Sequence, residues 1–198
     1  MNHNEQRRWL AEQAARCMSE LAIDDPMKAL RRVLGRQRRT IDRRQWPEPD
    51  EIRASLRVYQ RLFRGPEQGA HLDVRRQAAI QAMRFFAPFH PVLVGAVLDG
   101  TADAHSPVQL HLHGDDPEAL LLFLDRHGIA HDTGERRIHL SPQRVAAVPH
   151  LTLDADGIGF ELWLLPSTSE RQPPLANDGR TPIPRATPAA VMRLGRND

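Results

Sequence analysis

The sequence contains one cysteine and few aromatic residues, and no long apolar segment interrupts it. Cys17 has no second thiol with which to form an intramolecular disulfide or a zinc knuckle, so we expect a small, buried, apolar side chain without a redox role. No apolar run approaches the roughly 20 residues needed to span a bilayer. The charged residues around Trp9 leave the N-terminus without the apolar core of a secretory signal. These absences predict a cytoplasmic protein without a membrane span.

The composition is that of a folded protein. The 198 residues are 40% hydrophobic and 26% charged, which is ordinary for one well-buried domain or two small ones and argues against disorder throughout the chain. The charge is unevenly distributed. Residues 1–90 carry 18 Lys and Arg against 11 Asp and Glu, whereas residues 91–198 carry 9 against 14. The chain therefore has a basic half and an acidic half.

The basic half contains a dense arginine stretch that is a candidate for contact with RNA. Such a stretch can bind a phosphate backbone by releasing counterions. The candidate contacts are Arg31, Arg32, Arg36, Arg38 and Arg39, with Arg43 and Arg44 close behind. The alternative is a solvated surface that pairs with the acidic half, since no helix-turn-helix, zinc or aromatic stacking signature accompanies the charge.

Hydrophobic periodicity predicts a helical first half. Pro26 and Pro49 each stand near a helix start, Gly35 and Gly65 near a helix end, and Pro88 closes the last helix because the residue before a proline is pushed out of the helical region. The predicted helices cover residues 4–22, 26–35, 49–65 and 72–86, with a basic connector at residues 36–49.

After Pro91 the periodicity becomes that of β-strands. The run Val92–Leu98 predicts a continuous buried strand, and the alternation in Val108–His113 predicts a half-exposed strand. Asp115-Asp116-Pro117-Glu118 predicts the capped start of a helix that ends at Gly128. Further strands are expected at residues 137–140, 151–153 and 158–165, the last two joined by the hairpin turn Asp154-Ala155-Asp156-Gly157, and a proline-rich extended tail leads to a short helix at residues 189–194.

These elements predict an α/β (α+β) protein in which a small mixed sheet of four or five strands is flanked by helices and preceded by a helical extension. The expected regions are a helical N-terminal part at residues 1–87, an α/β core at 88–166, and a tail with a short C-terminal helix at 167–198.

In Leu93-Val94-Gly95-Ala96-Val97-Leu98 an apolar strand runs into Gly-Ala, a polar loop with Ser106 follows, and a second strand alternates over Val108–His113. This outline resembles the core of the nucleotidyltransferase superfamily, and most of the chain resembles a group of small, uncharacterised bacterial nucleotidyltransferase-like proteins. In the superfamily, a Gly-Ser pair after the first strand faces the triphosphate, and an Asp-x-Asp pair on the second strand holds two metal ions. The segments that carry the resemblance are Tyr59-Gln60-Arg61-Leu62-Phe63, Leu93-Val94-Gly95-Ala96-Val97-Leu98, Gly100-Thr101-Ala102, His105-Ser106-Pro107-Val108, Leu110-His111-Leu112, Pro174-Leu175, Asp178-Gly179-Arg180 and Arg185-Ala186.

The resemblance implies a sheet flanked by helices and an altered catalytic motif. Pro107 and Gln109 occupy the positions of the paired carboxylates. Glu161, in Phe160-Glu161-Leu162, matches the apolar-acidic-apolar form of the third carboxylate and is the candidate catalytic residue. Its alternative is a solvent-facing residue of an alternating strand. Loss of both paired carboxylates leaves two magnesium ions with too little compensating charge.

Two histidines suggest a different metal site. Gln109, His111 and His113 share one face of their strand because alternate residues point to the same side. His111, His113 and Glu161 together are ligand types for zinc or another transition metal. The alternative is a polar, partly wet sheet face. Asp115 and Asp116 are best explained as helix capping, with a metal ligand as the minor alternative.

Candidate phosphate-binding residues lie before and after the strand Val108–His113 in the sequence. Gly95 and Ala96 would let the backbone approach a phosphate, and Ser106 can donate a hydrogen bond. The arginines that follow Glu161 offer planar forks matched to phosphate oxygens, or else tie the tail to the acidic half. These arginines are Arg171, Arg180 and Arg185.

Three hypotheses follow. The first is a catalytically degenerate nucleotidyltransferase-fold protein that binds a nucleotide or a partner. The second is an active transferase that moves a nucleotidyl group from a nucleoside triphosphate to a hydroxyl, with Mg or Zn held by Glu161 and His111 or Asp115, and with Arg180 or Arg185 on the phosphates. The third is an RNA or protein adaptor that acts through the basic helical half, as a homodimer that covers its apolar helix faces.

Overall fold

The computed structural model describes residues 3–21, 23, 25–35, 41–63 and 65–194. The chain divides into two compact units, Met1–Ala70 and His71–Asp198. We call them the N-terminal unit and the C-terminal unit. Within the described residues, no helix combines the length and the apolar composition that a membrane crossing requires.

The N-terminal unit is built from helices. They are α1 (His3–Leu21), α2 (Pro26–Leu34) and α3 (Pro49–Phe63), with a short 3₁₀ turn at Arg43–Gln45. The start of α2 follows from its sequence, because the Asp25 carboxylate accepts hydrogen bonds from the backbone N–H groups of Met27 and Lys28 at 2.8 and 3.0 Å. The apolar faces of the three helices form one core that includes Leu10, Ala14, Leu30, Ile52 and Leu56.

Cys17, expected to be a small buried apolar side chain, packs against that core from α1 and is half-buried. The helix α4 (Gly65–Phe85) follows α3, and the boundary between the two units falls inside it. It is close to the predicted fourth helix but begins earlier.

The C-terminal unit contains a five-stranded mixed sheet, as predicted. Its strands are β1 (Val92–Val94), β2 (Val108–His113), β3 (Asp132–Ser141), β4 (Arg144–Ala155) and β5 (Ile158–Leu165). Their order is β1-β2-β5-β4-β3, in which β2 and β5 are parallel and the other neighbours are antiparallel. The helices that accompany the sheet are α4, α5 (Gly95–Asp99), α6 (Pro117–Arg126) and α7 (Pro188–Leu194).

The two faces of the sheet differ in chemistry. One face, which we call the helix-covered face, presents Leu110, Leu112 and Leu162 to a core that also holds Met83 of α4 and Leu120 of α6. The opposite face, which we call the histidine face, carries Gln109, His111 and His113 of β2, because side chains alternate along a strand.

The predicted strand Val92–Leu98 is wrong beyond Val94. The backbone of Gly95 turns into the left-handed region at φ 72°, and α5 begins at this residue. Val97 is still fully buried, but it lies on a helix. The error has a simple cause, since a continuous apolar run reports burial and carries no period from which to choose strand over helix.

The expectation of a half-exposed β2 is also wrong, because the tail covers the histidine face. His111 is 2% exposed and His113 is 3% exposed. The tail pairs with the outer edge of β3 through Leu175 and with the outer edge of β1 through Ala186. Between these two points, Ile183 packs against the apolar residues of the same face.

The capping and turn predictions are confirmed. Asp116 caps α6 by accepting hydrogen bonds from the backbone N–H groups of Glu118 and Ala119 at 3.0 and 3.3 Å. The turn between β4 and β5 places Asp156 and Gly157 at φ 53° and 74°, the left-handed conformations of a tight hairpin. The extended tail does end in a short helix, α7.

Candidate functional site

Three residues that the resemblance assigns to one site meet at one end of the histidine face. Gln109 lies opposite Val94 on β1 and opposite Glu161 on β5. The side-chain amide of Gln109 donates a hydrogen bond from Nε2 to Oε2 of Glu161 at 2.9 Å. Gly95 follows directly after β1. We call Gly95, Gln109 and Glu161 the Gln109–Glu161 cluster.

Gly95 is required here by the Gln109 side chain. A Cβ at position 95 would stand 1.8 Å from Oε1 and 3.0 Å from Cδ of Gln109, and the φ of 72° is unfavourable for any residue with a side chain. The amide of Gln109 therefore occupies the space directly beside the glycine that we predicted to approach a phosphate.

His150 completes the surroundings of Glu161 and is a residue that sequence analysis missed. It lies on β4, and its Nε2 is 3.9 Å from Oε2 of Glu161, which is too long for a hydrogen bond. His150 is 8% exposed, and within the described residues its Nε2 has no hydrogen-bond partner. Burial lowers the pKa of His150, while the Glu161 carboxylate opposes that shift.

A row of three rings crosses the middle of the histidine face. His111, Trp163 and His150 are direct neighbours across β2, β5 and β4. His111 stacks on Trp163 with ring centroids 5.1 Å apart, and His150 meets the other side of Trp163 edge-on at 6.1 Å. We call these three residues the aromatic row. Such ring pairs are favourable in both arrangements, so the row is a packed layer of the fold.

His111 is neutral inside this layer. Burial, followed by the nearby His113 and the positive charge of Arg185, lowers the pKa of His111 to about 3. Protonation would place a positive charge in a buried site, away from water and without a negative charge to compensate it. The ring therefore acts as a stacking partner at neutral pH.

His113 has a defined tautomer. Its Nδ1 lies 2.7 Å from the backbone carbonyl of His90, and because a carbonyl only accepts, Nδ1 must carry the proton. Nε2 is then a bare lone pair, and it has no hydrogen-bond partner among the described residues. Burial is the main reason that the pKa of His113 is lowered.

The structure does not bring the predicted metal ligands together. Within the described part of the chain, no three His, Cys, Asp or Glu side chains are placed to hold a metal ion. Glu161 lies beside Gln109, and His113 is four residues further along β2, a rise of roughly 13 Å. One ion cannot reach His111, His113 and Glu161 across that distance, although all three share the histidine face.

The predicted phosphate ligands are also dispersed, and most have partners. Ser106 donates from Oγ to the Asp103 carboxylate at 3.0 Å. Arg185 donates to the backbone carbonyls of Ser169 and Glu170, both at 2.9 Å. Arg180 and Arg171 are exposed on the tail. The carbonyl of Ala96 accepts hydrogen bonds from the backbone N–H groups that end α5.

A buried arginine that sequence analysis missed holds the loop that contains Ser106. Arg75 of α4 is 5% exposed. Its guanidinium donates to the carbonyl of Ser106 at 2.7 Å, to that of His71 at 3.3 Å and to that of Ala104. The helical periodicity of α4 does not predict this, because a buried arginine is unusual and the loop carbonyls of Ala104 and Ser106 lie 29 and 31 residues further along the chain.

The two aspartates before α6, Asp115 and Asp116, accept hydrogen bonds from different parts of the chain. Asp116 caps the helix, and Asp115 accepts hydrogen bonds from the backbone N–H and the hydroxyl of Ser167 at 3.0 and 2.6 Å. These two bonds lower the pKa of Asp115. Asp115 thus joins the end of β2 to the start of the tail, and this contact gives the carboxylate a structural role that needs no metal.

The basic stretch is only partly described. Arg31 and Arg32 are exposed on the last turn of α2. Arg36, Arg38 and Arg39 lie outside the described residues.

Comparison with known proteins does not identify a family for this chain. No family model matches the chain, and no curated protein matches it.

Proposed function

We propose that the chain is a nucleotidyltransferase-fold protein that has lost two-metal catalysis and acts by binding a nucleotide or a partner. The observation that carries the proposal is the hydrogen bond from Gln109 Nε2 to Glu161 Oε2 at 2.9 Å. It joins a neutral amide at one of the paired-carboxylate positions to the acidic residue that matches the third carboxylate.

The topology around this bond supports the resemblance. The first strand leads directly into a glycine that begins a helix, the second strand is antiparallel to the first, and the strand with the acidic residue is parallel to the second. The resemblance implies that these three segments form a single site, and here they are in contact through Gly95, Gln109 and Glu161.

Charge supports the loss of catalysis. Two divalent cations need several carboxylate oxygens between them, and magnesium in particular prefers such ligands. Pro107 and Gln109 supply no charge, so Glu161 contributes the one carboxylate of the three positions. One of its oxygens already accepts the Gln109 amide proton.

The proposal is tested by restoring the missing carboxylates. We expect the double variant Pro107→Asp/Gln109→Asp to bind Mn²⁺ or Mg²⁺ together with a nucleoside triphosphate, because three carboxylates would then face one another. Its melting temperature should rise by roughly 5 to 10 °C at one hundred times Kd. Pro107→Asn/Gln109→Asn is the matched uncharged control, and adding Glu161→Ala to the Asp variant should abolish the rise.

The natural chain is measured in parallel with each of the four nucleoside triphosphates. A melting temperature that rises with a nucleotide, and that does not depend on a divalent cation, would support nucleotide binding. Metal-dependent release of pyrophosphate by the natural chain would contradict the loss of catalysis and favour the active transferase. No cation response in the restored variant would remove the support for a nucleotidyltransferase site.

An adaptor function is the second candidate, favoured by the exposed guanidinium groups of Arg31 and Arg32 on α2. If these residues bind an RNA backbone, affinity must fall linearly with salt on logarithmic axes, with a slope of about −0.7 per phosphate contact for a single strand. Replacing both by glutamine should reduce that slope by about 1.4. An unchanged slope would exclude these two residues from an RNA contact.

A further inference from the structure

The outer edge of β3 is the open edge of the sheet. At the opposite edge, β1 exchanges two backbone hydrogen bonds of 2.9 Å between Leu93 and Ala186 of the tail. Among the described residues, the tail pairs with β3 only at His139, whose carbonyl accepts a hydrogen bond from the backbone N–H of Leu175. Within the described residues, no strand pairs with the outer side of residues 132–138, which we call the β3 edge.

The backbone groups of the β3 edge that face outward can be assigned. In a regular antiparallel strand, the N–H and C=O of one residue point to the same side, and the side alternates. Because His139 points its carbonyl toward the tail, Thr133, Glu135 and Arg137 must point outward as well. Glu135 faces Pro149 on β4, and a proline without an N–H fits a position where β3 and β4 exchange no hydrogen bonds.

The residues of this segment are uncovered, and four of the six from Asp132 to Arg137 are charged. All residues from Asp132 to Arg137 are exposed. Unpaired edges of this length are templates for a further strand, and natural proteins commonly place charges on them to prevent unwanted pairing. Charges on an edge prevent pairing when they repel the charges of the added strand, and they favour pairing when the two sets of charges are complementary.

The β3 edge is complementary to itself in one register. Two antiparallel copies must pair outward residues with outward residues, so the two-fold axis passes through a single position. With Gly134 on the axis, Asp132 faces Arg136 of the second copy and Thr133 faces Glu135. An axis at Glu135, Arg136 or Arg137 instead places like charges directly opposite each other, which is unfavourable. An axis at Thr133 places Asp132 opposite Gly134 and so loses the pairing of Asp132 with Arg136.

We propose that two copies of this chain associate through their β3 edges, antiparallel and with Gly134 on the two-fold axis, to form one continuous ten-stranded sheet. The occupant is a second copy, because the charge order of the edge is its own complement. Such a contact involves few residues per copy, less than the 1,200 Å² or more of a standard interface, so the dimer is a weak and concentration-dependent one. The inference does not depend on nucleotide binding.

Sedimentation of the full chain tests the association. We expect the mass to rise from 22.4 kDa toward twice that value between roughly 1 and 100 μM. Glu135→Pro removes an outward N–H without touching a bond to β4 and should weaken the association at least tenfold, with little change in the melting temperature at low concentration. A monomer at all concentrations, or a dimer unaffected by this variant, would overturn the proposal.

Charge reversal tests the complementarity. Arg136→Asp places two acidic residues opposite each other at each end and should also weaken the dimer at least tenfold. Asp132→Arg/Arg136→Asp exchanges the two charges and should restore it. If the exchanged variant stays monomeric while the natural chain dimerises, the register is wrong.

Disulfide trapping tests the axis, in a Cys17→Ser background. Gly134 would be a non-hydrogen-bonded pair across the axis with Cα atoms about 4.5 Å apart, within disulfide reach. A Cβ there meets only the His150 carbonyl, at 3.9 Å. Gly134→Cys should therefore form a covalent dimer on oxidation, whereas Arg136→Cys on the same sheet face should not. The reverse result would exclude the Gly134 axis.

Discussion

Several polar side chains are buried on the histidine face, and their protonation couples stability to pH. His111, His113 and His150 all lie in or beside the aromatic row, and burial is the largest cause of the lowered pKa of each. The folded state disfavours the protonated form of these rings relative to the unfolded chain. All three histidines therefore lower the free energy of unfolding as the pH becomes acidic.

We predict a loss of stability below neutral pH that is due in large part to His111. Its folded pKa of about 3 is below the ordinary 6.5, so the unfolded state binds more protons between these values, and stability falls as the pH drops below 6.5. At pH 5 the loss from this residue is about 2 kcal/mol. Urea unfolding at pH 7.5 and pH 5 measures it.

The matched variant is His111→Phe, which keeps a ring against Trp163 but cannot be protonated. It should lose less stability on acidification than the natural chain, with a remainder from His113 and His150. If the two proteins show the same loss between pH 7.5 and pH 5, His111 is not the responsible group.

Gly95 and Gln109 should be energetically coupled. Gly95→Ala adds a Cβ that displaces the Gln109 amide and strains a backbone at φ 72°, and we predict a cost of about 2 to 4 kcal/mol in the free energy of unfolding. In the background of Gln109→Ala, the same substitution should cost about 1 to 2 kcal/mol, since only the backbone strain remains. Urea unfolding of the four proteins closes this cycle, and purely additive values would contradict the contact.

At the scale of elements, local signals decide where the helices start. Asp25 and Asp116 each accept two backbone N–H groups at the beginning of a helix, and a proline follows each of them. Such a cap acts within a few residues, so its effect does not depend on the rest of the fold. This is why the starts of α2 and α6 agree with the sequence predictions, whereas the end of β1 does not.

We predict that Asp116→Ala destabilises the C-terminal unit by about 1 kcal/mol, the usual cost of losing a helix cap. The urea midpoint at neutral pH is the measurement. Glu118 lies in the same turn, and in the described part of the chain its side chain accepts no capping hydrogen bond, so Glu118→Gln as a control should change the midpoint by less. Equal effects of the two substitutions would point to the helix dipole instead of the cap.

At the scale of the whole molecule, each unit has a hydrophobic core of its own. In the N-terminal unit, α1, α2 and α3 enclose the residues around Leu30 and Ile52. In the C-terminal unit, the helix-covered face of the sheet supplies the core around Leu110 and Leu162. A unit with a core of this kind is expected to fold by itself.

We predict that residues 71–198 fold without the N-terminal unit. Expressed alone, this segment should give the circular dichroism of a mixed α/β protein and a single cooperative transition in urea. A point substitution in its core, Leu162→Ala, should lower the midpoint, at a cost of about 2 to 5 kcal/mol. A broad, non-cooperative transition of the natural segment would show that the C-terminal unit needs residues before 71.

The candidate site shows how far sequence reasoning reaches. Alternation along β2 and β5 correctly placed Gln109, His111 and Glu161 on strands. The resemblance implied that Gln109 and Glu161 belong to one site, and they do lie opposite each other. His150 and Trp163 were missed, although polar alternation in β4 was visible at His150 and Thr152. What the sequence lacked was the register between strands, which decides which of these side chains are neighbours.

The sequence by itself determined the elements of this protein: most helix ends, the β4–β5 turn and the mixed sheet. Periodicity, caps and turn residues act over a few positions, and a single chain displays them directly. Only the tertiary structure decided that β1 stops at Val94, that the tail buries the histidines, and that Gln109 bonds to Glu161. These outcomes depend on contacts between residues tens of positions apart, and no local pattern encodes such distances.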